Sequence, residues 1–264
     1  MKKHLYVTTF PFRKNSFSSK KIVACIFSVG ERTEEQAILS VKKQKLQVSG
    51  IEVIRNVSPI SAASQRVFDL ATDADYVLWV DADMILYDYC TEYLIRLARS
   101  NVLFSAGKLI DPVFGTVGWI KLLNMSLARQ LDIKFRNVLR CDVDFCKQAK
   151  EKNDNVIPMY GTNRILGTHH ASYTAKELFR KTQIWKKKMG NRIDKTQLRS
   201  MINKYCQTDN KVLLAGILGL ILPNTDDSIG ESSPQSGLEN WDKVSSLLGS
   251  ELKQYIFQSP TNLK

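Results

Sequence analysis

Two segments of the chain are apolar at nearly every position, which is typical of strands buried on both faces. These segments, 22–29 and 76–80, are rich in β-branched and aromatic side chains. Central strands of a parallel sheet have this composition because helices cover both of their faces. Shorter apolar segments at 51–54 and 102–106 predict two further strands, and 156–158 predicts a strand at the edge of the sheet.

Helical periodicity occupies the segments between these strands. Apolar residues recur at intervals of three and four positions in 33–41, 61–72 and 88–99, and each segment predicts an amphipathic helix. Thr33, with a glutamine three positions later, has the spacing of a capping box at the start of the first helix. Residues 108–140 show no clear period. The alternation of strand, turn and helix predicts a Rossmann-like α/β fold with a mostly parallel sheet flanked by helices.

The last third of the chain has the pattern of helices alone. The predicted helices are 174–189, 194–205, 212–222 and 241–257. The first of them opens with Thr174 and Glu177 in a second capping box, and a loop rich in Ser, Asp, Gly and Pro is predicted at 224–237. The chain therefore divides into a basic N-terminal arm, an α/β domain and a small helical C-terminal extension. Their bounds are 1–20, 21–185 and 186–264.

The net charge of the chain predicts an anionic partner. The 264 residues carry a net charge of +12, which favours a nucleotide diphosphate, an anionic lipid or an acidic glycan. No nucleic-acid-binding motif accompanies the charge, so nucleic acid is not expected as a partner. Basic residues concentrate in the arm 1–20 and between Lys186 and Arg199. Either a solvated face or contact with an anionic membrane surface would account for them.

Cysteine usage and the start of the chain bear on its location. The five cysteines are odd in number and lack paired Cys-x-x-Cys spacing, which favours reduced, mostly buried thiols in the cytoplasm. Residues 1–21 contain no continuous apolar segment of the kind found in a secretory signal, and the apolar run 212–222 is too short to span a membrane. We expect a cytoplasmic protein, with a peripheral position at the inner face of the membrane as a further expectation from the basic charge.

Two carboxylates follow the central apolar strand directly. Asp81 and Asp83 come at its carboxyl end, where open α/β sheets bind ligands. Two acids in one cleft repel each other unless a cation neutralises them, and hard divalent cations bind carboxylates while keeping positions for phosphate oxygens. The pattern therefore predicts a metal and nucleotide site. The alternative is a strand end whose two acids are merely solvated.

Two motifs resemble those of GT-A-fold glycosyltransferases of family 2. Asp81-Ala82-Asp83 after an apolar strand resembles the DxD motif, and Cys141-Asp142-Val143-Asp144-Phe145-Cys146 resembles the Glu-Asp-x-Asp-Phe-Cys pattern. The resemblance covers roughly residues 21–185 and implies a GT-A fold. It also implies that Asp81 and Asp83 hold Mn²⁺ or Mg²⁺ together with a UDP- or GDP-linked sugar. Asp142 is then the catalytic base, against the alternative that it is only an N-cap.

The resemblance implies further site residues and shows two departures. His169 or His170 becomes a further metal ligand, with the choice between them open. The implied nucleotide-binding residues are Ser28, Gly30, Arg32 and Gln65. Cys141 stands where the family has glutamate, and Arg55-Asn56 stands where it has an acid that contacts the base of the nucleotide.

These features together predict a metal-dependent glycosyltransferase. It would move a sugar from a nucleotide-diphosphate donor to a hydroxyl of a glycan or lipid-linked glycan, in the synthesis of a surface polysaccharide or glycoconjugate. Two alternatives remain. A sugar-phosphate nucleotidyltransferase would normally open with a glycine-rich basic loop, which Gly30-Glu31-Arg32 does not provide. A non-catalytic membrane-surface or glycan-binding module would explain the charge but would make the carboxylates and histidines coincidental.

Overall fold

A computed structural model describes residues 20–138, 140–169, 173–188, 195–222 and 241–249. These residues divide into an α/β unit, up to His169, and a helical unit, from Tyr173 onward. In the described ranges, no helix combines the length and the apolar composition needed to cross a bilayer. The predicted arm 1–20, except Lys20, and the predicted loop 224–237 lie outside the described residues.

The α/β unit is built on a seven-stranded sheet. Its strands are β1 (Ile22–Ser28), β2 (Gly50–Arg55), β3 (Tyr76–Asp81), β4 (Met84–Leu86), β5 (Val102–Asp111), β6 (Gly115–Asn124) and β7 (Ile157–His169). Its helices are α1 (Glu34–Lys42), α2 (Ile60–Leu70), α3 (Cys90–Leu97), α4 (Met125–Gln130) and α5 (Cys141–Lys152). The strand order is β2-β1-β3-β6-β5-β7-β4. The predicted α/β fold, with helices flanking the sheet and a helical C-terminal part, is confirmed.

The sheet is mixed, whereas the sequence pattern predicted a mostly parallel one. The pairs β1–β2, β1–β3 and β5–β7 are parallel, and the pairs β3–β6, β5–β6 and β4–β7 are antiparallel. The difference arises from β6, which lies within the segment that showed no period. Lys121 interrupts its apolar positions, and Gly118 has a φ of +47°, so no alternating or continuous apolar pattern marks this strand in the sequence.

Apolar side chains cover both faces of the sheet, as expected for its central strands. On one face, Phe27 and Val77 belong to a core that includes residues of α2, α4 and α5. On the other face, Ile26 and Leu78 belong to a core that includes residues of α1 and α3. Neighbouring residues of a strand point to opposite faces, so β1 and β3 contribute to both cores. The carboxyl ends of these two strands are therefore held firmly beside each other.

The helical unit is arranged around a buried apolar helix. Its helices are α6 (Ala175–Lys188), α7 (Lys195–Thr208), α8 (Lys211–Ile221) and α9 (Trp241–Gly249). Residues 213–220 of α8 are all buried, and the predicted capping box of α6 is present, with Thr174 and Glu177 bonding each other's amides. A Cβ atom added to Gly219 would lie 2.7 Å from the carbonyl oxygen of Phe179. The backbones of α6 and α8 therefore approach closely, and both helices lie in the helical unit.

Lys186 does not have the exposed position that a solvated or membrane-facing side chain requires. Its side chain is buried, and its ammonium group donates a hydrogen bond to the carbonyl oxygen of Leu222 at 2.7 Å, beside a bond from Gln183 to the same oxygen. Unsatisfied carbonyl groups at a helix end favour such cationic donors, so Lys186 stabilises the end of α8. Burial lowers the pKa of Lys186.

Candidate functional site

The turn that carries Asp81 and Asp83 is tied to two neighbouring elements. Asp81 is the last residue of β3, and the amide of Ala82 donates to the carbonyl oxygen of Phe27 at 2.8 Å. The hydroxyl of Thr33 donates to the carbonyl oxygen of Ala82, also at 2.8 Å. The capping box predicted at Thr33 is wrong, because Thr33 makes no side-chain cap bond to α1. Its hydroxyl group instead fixes the turn between the two aspartates.

Strand pairing brings His169 to this turn. The edge strand β4 follows Asp83 and pairs with the end of β7, with Met84 opposite His169. The imidazole Nε2 lies 3.4 Å from Asp83 Oδ2, and both side chains are largely buried. Of the two predicted histidines, the structure thus places His169 beside an aspartate of the DxD segment. His170 lies outside the described residues.

A third acid, Asp111, lies next to the His169 ring nitrogen that does not face Asp83. Asp111, the last residue of β5, is fully buried, and its Oδ2 lies 3.0 Å from His169 Nδ1. Its Oδ1 accepts hydrogen bonds from the amides of Val113 and Phe114 at 2.8 and 2.9 Å. Sequence reasoning did not assign Asp111 to the metal site. The available signal was its position, since Asp111, like Asp81, follows an apolar strand.

These contacts determine which atoms can bind a cation. A carboxylate beside Nδ1 favours the tautomer with a proton on Nδ1, which leaves an electron pair on Nε2. That electron pair then faces the Asp83 carboxylate, and two electron donors at this distance repel unless they share a cation. Two adjacent ligands of an octahedral ion, each about 2.1 Å from it, lie about 3 Å apart, close to the observed separation. Asp83 and His169 therefore fit a shared divalent cation.

The protein groups alone do not enclose an ion. Within the described part of the chain, no three His, Cys, Asp or Glu side chains form a ready metal cage. Mg²⁺ characteristically binds through one or two carboxylates, with waters and substrate phosphates filling its other positions. The pair formed by Asp83 and His169 is compatible with that kind of partial site.

Asp142 lies in the first turn of α5. The N-cap residue is Arg140, which makes no side-chain cap bond, and Asp142 Oδ1 accepts a hydrogen bond from the amide of Val143 at 2.9 Å. Its Oδ2 accepts from the ammonium group of Lys121 at 2.8 Å, and its side chain is 44% exposed against 16% for Lys121. Three residues later, Phe145 stacks on Phe135 at 4.1 Å between ring centroids. This buried contact orients the first turn of α5, and with it the Asp142 carboxylate.

Asp142 shares a face of the sheet with Asp81. Lys121 is paired with Trp79 in the antiparallel ladder of β3 and β6, and paired residues point to the same face. Asp81 follows Trp79 by two positions on the same strand, so its side chain points to that face as well. The Lys121–Asp142 ion pair and Asp81 therefore border the same region at the carboxyl end of β3.

The turn after β1 reaches the same edge of the sheet. Phe27 pairs with Asp81 in the parallel ladder of β1 and β3, so the predicted residues Ser28, Gly30 and Arg32 come directly beside the aspartates. The Ser28 hydroxyl donates to Glu31 at 3.0 Å and accepts from the amide of Gly30 at 3.1 Å. Gly30 has a φ of +89°, which glycine adopts without strain.

The remaining predicted residue, Gln65, has a different set of contacts. It lies in α2, and its Oε1 accepts a hydrogen bond from the amide of Phe135 at 3.0 Å. That bond holds the segment that leads into α5. At the end of β2, Arg55 pairs with Glu34 at 2.6 Å, and this ion pair lowers the pKa of Glu34. An acid from α1 therefore lies close to the position where the family pattern has its own acid.

Comparison with known proteins finds similarity in structure only. No protein-family model matches the sequence, and no curated protein sequence matches it. One similar structure is glucosyl-3-phosphoglycerate synthase from Mycobacterium tuberculosis in complex with Mn²⁺, UDP and phosphoglyceric acid. It is 12% identical with a TM-score of 0.45, and the match covers 66% of this chain and 80% of that chain.

A second similar structure is S. aureus TarS. It is 10% identical with a TM-score of 0.44, and the match covers 71% of this chain and 44% of that chain. Similarities at this level are too low to carry a residue's role, a metal or a substrate over to this chain, because one fold serves many functions. The assignment of function therefore depends on the geometry of the chain's own residues.

Proposed function

We propose that the protein is a metal-dependent glycosyltransferase of the GT-A type. It moves a sugar from a UDP- or GDP-linked donor to a hydroxyl of a glycan or lipid-linked glycan, in the synthesis of a surface polysaccharide or glycoconjugate. The observation that carries the proposal is the approach of His169 to Asp83 at the carboxyl end of β3, with Asp111 behind the ring. Three strands place these side chains, and their donor atoms suit a divalent cation.

Asp83 and His169 are the residues that hold the cation, with Asp81 beside them toward the nucleotide. When bound there, Mn²⁺ or Mg²⁺ supplies positive charge that neutralises the departing diphosphate. Asp111 fixes the orientation and the tautomer of His169, as carboxylates that accept a hydrogen bond from a metal-bound histidine commonly do. The turn with Ser28, Gly30 and Arg32 borders this position and receives the nucleoside.

Asp142 acts as the base in an inverting transfer. Its carboxylate is partly exposed, so an acceptor hydroxyl can reach it. Lys121 favours the ionised carboxylate, which is the form that can accept a proton. As the acceptor oxygen bonds to the sugar carbon and the bond from that carbon to the diphosphate breaks, the hydroxyl proton passes to Asp142.

Thermal unfolding with a panel of nucleotide sugars tests this function directly. A ligand at about 100 times its Kd stabilises the folded protein by about 2.7 kcal/mol, which raises the Tm of a domain of this size by roughly 5–10 °C. We expect such a shift with one UDP- or GDP-sugar in the presence of Mn²⁺, and its loss when a chelator is added. Asp83→Asn should fold normally and lose the shift.

Two results would contradict the proposal. Equal stabilisation in excess chelator would show that donor binding does not depend on a metal. A panel in which no nucleotide sugar stabilises the protein would contradict the proposed donor. Release of pyrophosphate from a nucleoside triphosphate and a sugar phosphate would identify a nucleotidyltransferase instead. Release of a nucleoside diphosphate from the nucleotide sugar supports the glycosyltransferase.

A further inference from the structure

A cavity opens on the α/β unit, away from the aspartate turn. It has a volume of about 270 Å³ and lies between α3 and the middle of β7. Its lining residues are Lys45, Tyr89, Glu92, Tyr93, Arg96 and Arg164. None of them belongs to the candidate site, and Arg164 precedes His169 by five residues, about 15 Å along a strand. The cavity is therefore a separate feature that the proposed transfer reaction does not use.

The side chain of Arg164 is held in place by two aromatic rings. Its guanidinium carbon lies 5.0 Å from the centre of the Tyr89 ring and 4.9 Å from that of Tyr93. The hydroxyl of Tyr89 donates to the carbonyl oxygen of Ile165 at 3.2 Å, and that of Tyr93 lies 3.4 Å from the hydroxyl of Thr162. Both rings are thus fixed to β7. Arg164 is an exposed residue, and its contacts with both rings favour one orientation of the guanidinium group, which reduces the side-chain entropy lost when a ligand binds it.

The charges around the cavity favour an anion. Three of its lining side chains are cationic and one is acidic. Glu92 pairs with Arg96, and Lys45 pairs with Asp88 at 3.1 Å. Among the residues that the structure describes, no acidic side chain forms a salt bridge with Arg164. A planar guanidinium group of this kind matches the two oxygens of a carboxylate or a phosphate.

We propose that this cavity binds the acidic group of an anionic sugar, a hexose phosphate or a uronic acid. Arg164 contacts the oxyanion, and Lys45 can exchange its exposed ion pair with Asp88 for it, because surface ion pairs contribute little. The parts of the Tyr89 and Tyr93 rings that line the cavity, beside the guanidinium group, provide apolar surface for the sugar ring. The volume lies just below the range of roughly 300–1,000 Å³ found for drug-sized ligands, which suits one monosaccharide unit. The protein therefore has a saccharide-binding site that is distinct from its candidate active centre.

Calorimetric titration of the full chain tests this site with four probes: glucose 6-phosphate, glucuronate, glucose and inorganic phosphate. We expect at least one acidic sugar to bind at least tenfold more tightly than glucose and inorganic phosphate. Which acidic sugar binds distinguishes a phosphate from a carboxylate as the recognised group. Arg164→Gln should weaken that binding at least tenfold.

A matched control separates this site from general charge effects. The guanidinium carbon of Arg99 lies 5.0 Å from the ring centre of Tyr160, outside the cavity, so Arg99→Gln removes the same charge and the same kind of contact. The Arg99→Gln variant should bind the sugar as tightly as the unchanged protein does. Asp83→Asn should also leave this binding intact, so failure of the proposed transfer reaction would be distinguishable from failure of this site.

Two outcomes would overturn the inference. If inorganic phosphate binds as tightly as glucose 6-phosphate, the cavity takes an adventitious ion only. If Arg164→Gln leaves the affinity for both acidic sugars unchanged, the cavity is not where they bind. Lys45→Gln provides a second variant should Arg164→Gln fail to fold, because the Lys45 side chain is 63% exposed. It is expected to weaken binding in the same direction.

Discussion

At the scale of single residues, the environment of His169 explains why Asp111 matters although it lies on the side of the imidazole away from Asp83. Asp111 is fully buried, but its Oδ1 accepts bonds from two backbone amides and its Oδ2 faces the imidazole. A buried carboxylate is stable only with such partners. We infer that its role is to position His169 toward Asp83.

Replacement of Asp111 by asparagine tests this positioning role. The amide oxygen of asparagine can still accept from Val113 and Phe114, so the fold should persist. The variant loses the negative charge that favours a proton on His169 Nδ1. Loss of such a partner of a metal-bound histidine weakens metal binding about 10–100-fold. Titration with Mn²⁺ in the absence of a nucleotide sugar, monitored by the electron paramagnetic resonance of the ion, measures the affinity for Mn²⁺. Unchanged Mn²⁺ affinity in the folded variant would rule out this role for Asp111.

Replacement of Asp142 by asparagine tests the proposed base. Turnover should fall by a factor on the order of 10²–10⁴, while donor affinity should stay the same because Asp142 is not one of the two proposed metal ligands. Stability should change little, since the side chain is partly exposed. Initial rates and donor titrations measure the two effects separately.

Asp144→Asn is the matched control for Asp142. Asp144 belongs to the same helical turn but accepts a bond from Gln148 at 2.7 Å and lies 3.6 Å from Arg136. The Asp144→Asn variant should therefore retain most of the turnover of the unchanged protein. Near-normal turnover of Asp142→Asn, or a larger loss in the Asp144 variant, would assign the base to another acid.

At the scale of elements, continuous apolar patterns predicted structure well and contacts between distant segments were missed. The strands β1 and β3 were predicted because burial on both faces requires apolar residues at every position. The strand β6 was missed because Lys121 interrupts it and reaches the Asp142 carboxylate instead of the core. The two Thr-based capping boxes had equivalent spacing, yet Thr33 uses its hydroxyl for a residue 49 positions away.

The same limit applies to the candidate site. Asp81, Asp83 and one of His169 and His170 were predicted from motifs, and the structure brings Asp83 and His169 together through the pairing of β4 with β7. Asp111 was not predicted as part of this group. Its partner is 58 positions away, and only the parallel pairing of β5 with β7 places the two side chains together.

Two glycines of α8 provide a prediction about helix packing. An added Cβ at Gly219 would overlap the side chain of Thr182 and approach the Phe179 carbonyl oxygen, whereas one at Gly216 would meet the ends of flexible side chains. Alanine favours a helix over glycine by about 1 kcal/mol at either position, and overpacking costs about 1–3 kcal/mol. We therefore expect Gly219→Ala to lower the free energy of unfolding more than Gly216→Ala. Urea unfolding measures both, and the reverse order would contradict the close approach of α6 and α8.

At the scale of the whole molecule, the net charge of +12 raises the question of a membrane surface. Lys186 does not contribute to an exposed basic face, because it is buried at the end of α8. Lys195 and Arg199 are exposed on α7. They are the described residues on which a contact with anionic lipid can be tested.

Vesicle binding provides that test. Each cation near an anionic bilayer contributes about 1 kcal/mol, so Lys195→Gln with Arg199→Gln should lower partitioning to anionic vesicles roughly 30-fold. The pair Lys42→Gln with Lys43→Gln removes the same charge from α1 and should have a smaller effect. Co-sedimentation at increasing salt measures both. Equal effects of the two pairs, or no binding to anionic vesicles, would support a solvated face.

The pairing of β4 with β7 has a consequence for how the site responds to its ligands. Only three residue pairs join these strands, so local opening of this short edge would separate Asp83 from His169. A ligand that binds both residues must then suppress the opening, and amide hydrogen exchange at 84–86 should slow when Mn²⁺ is added. Gly167 permits the close approach, since a Cβ there would lie 2.6 Å from the carbonyl oxygen of Ile85. Gly167→Ala should therefore accelerate exchange along this edge and weaken Mn²⁺ binding together, although residue 167 carries no ligand atom.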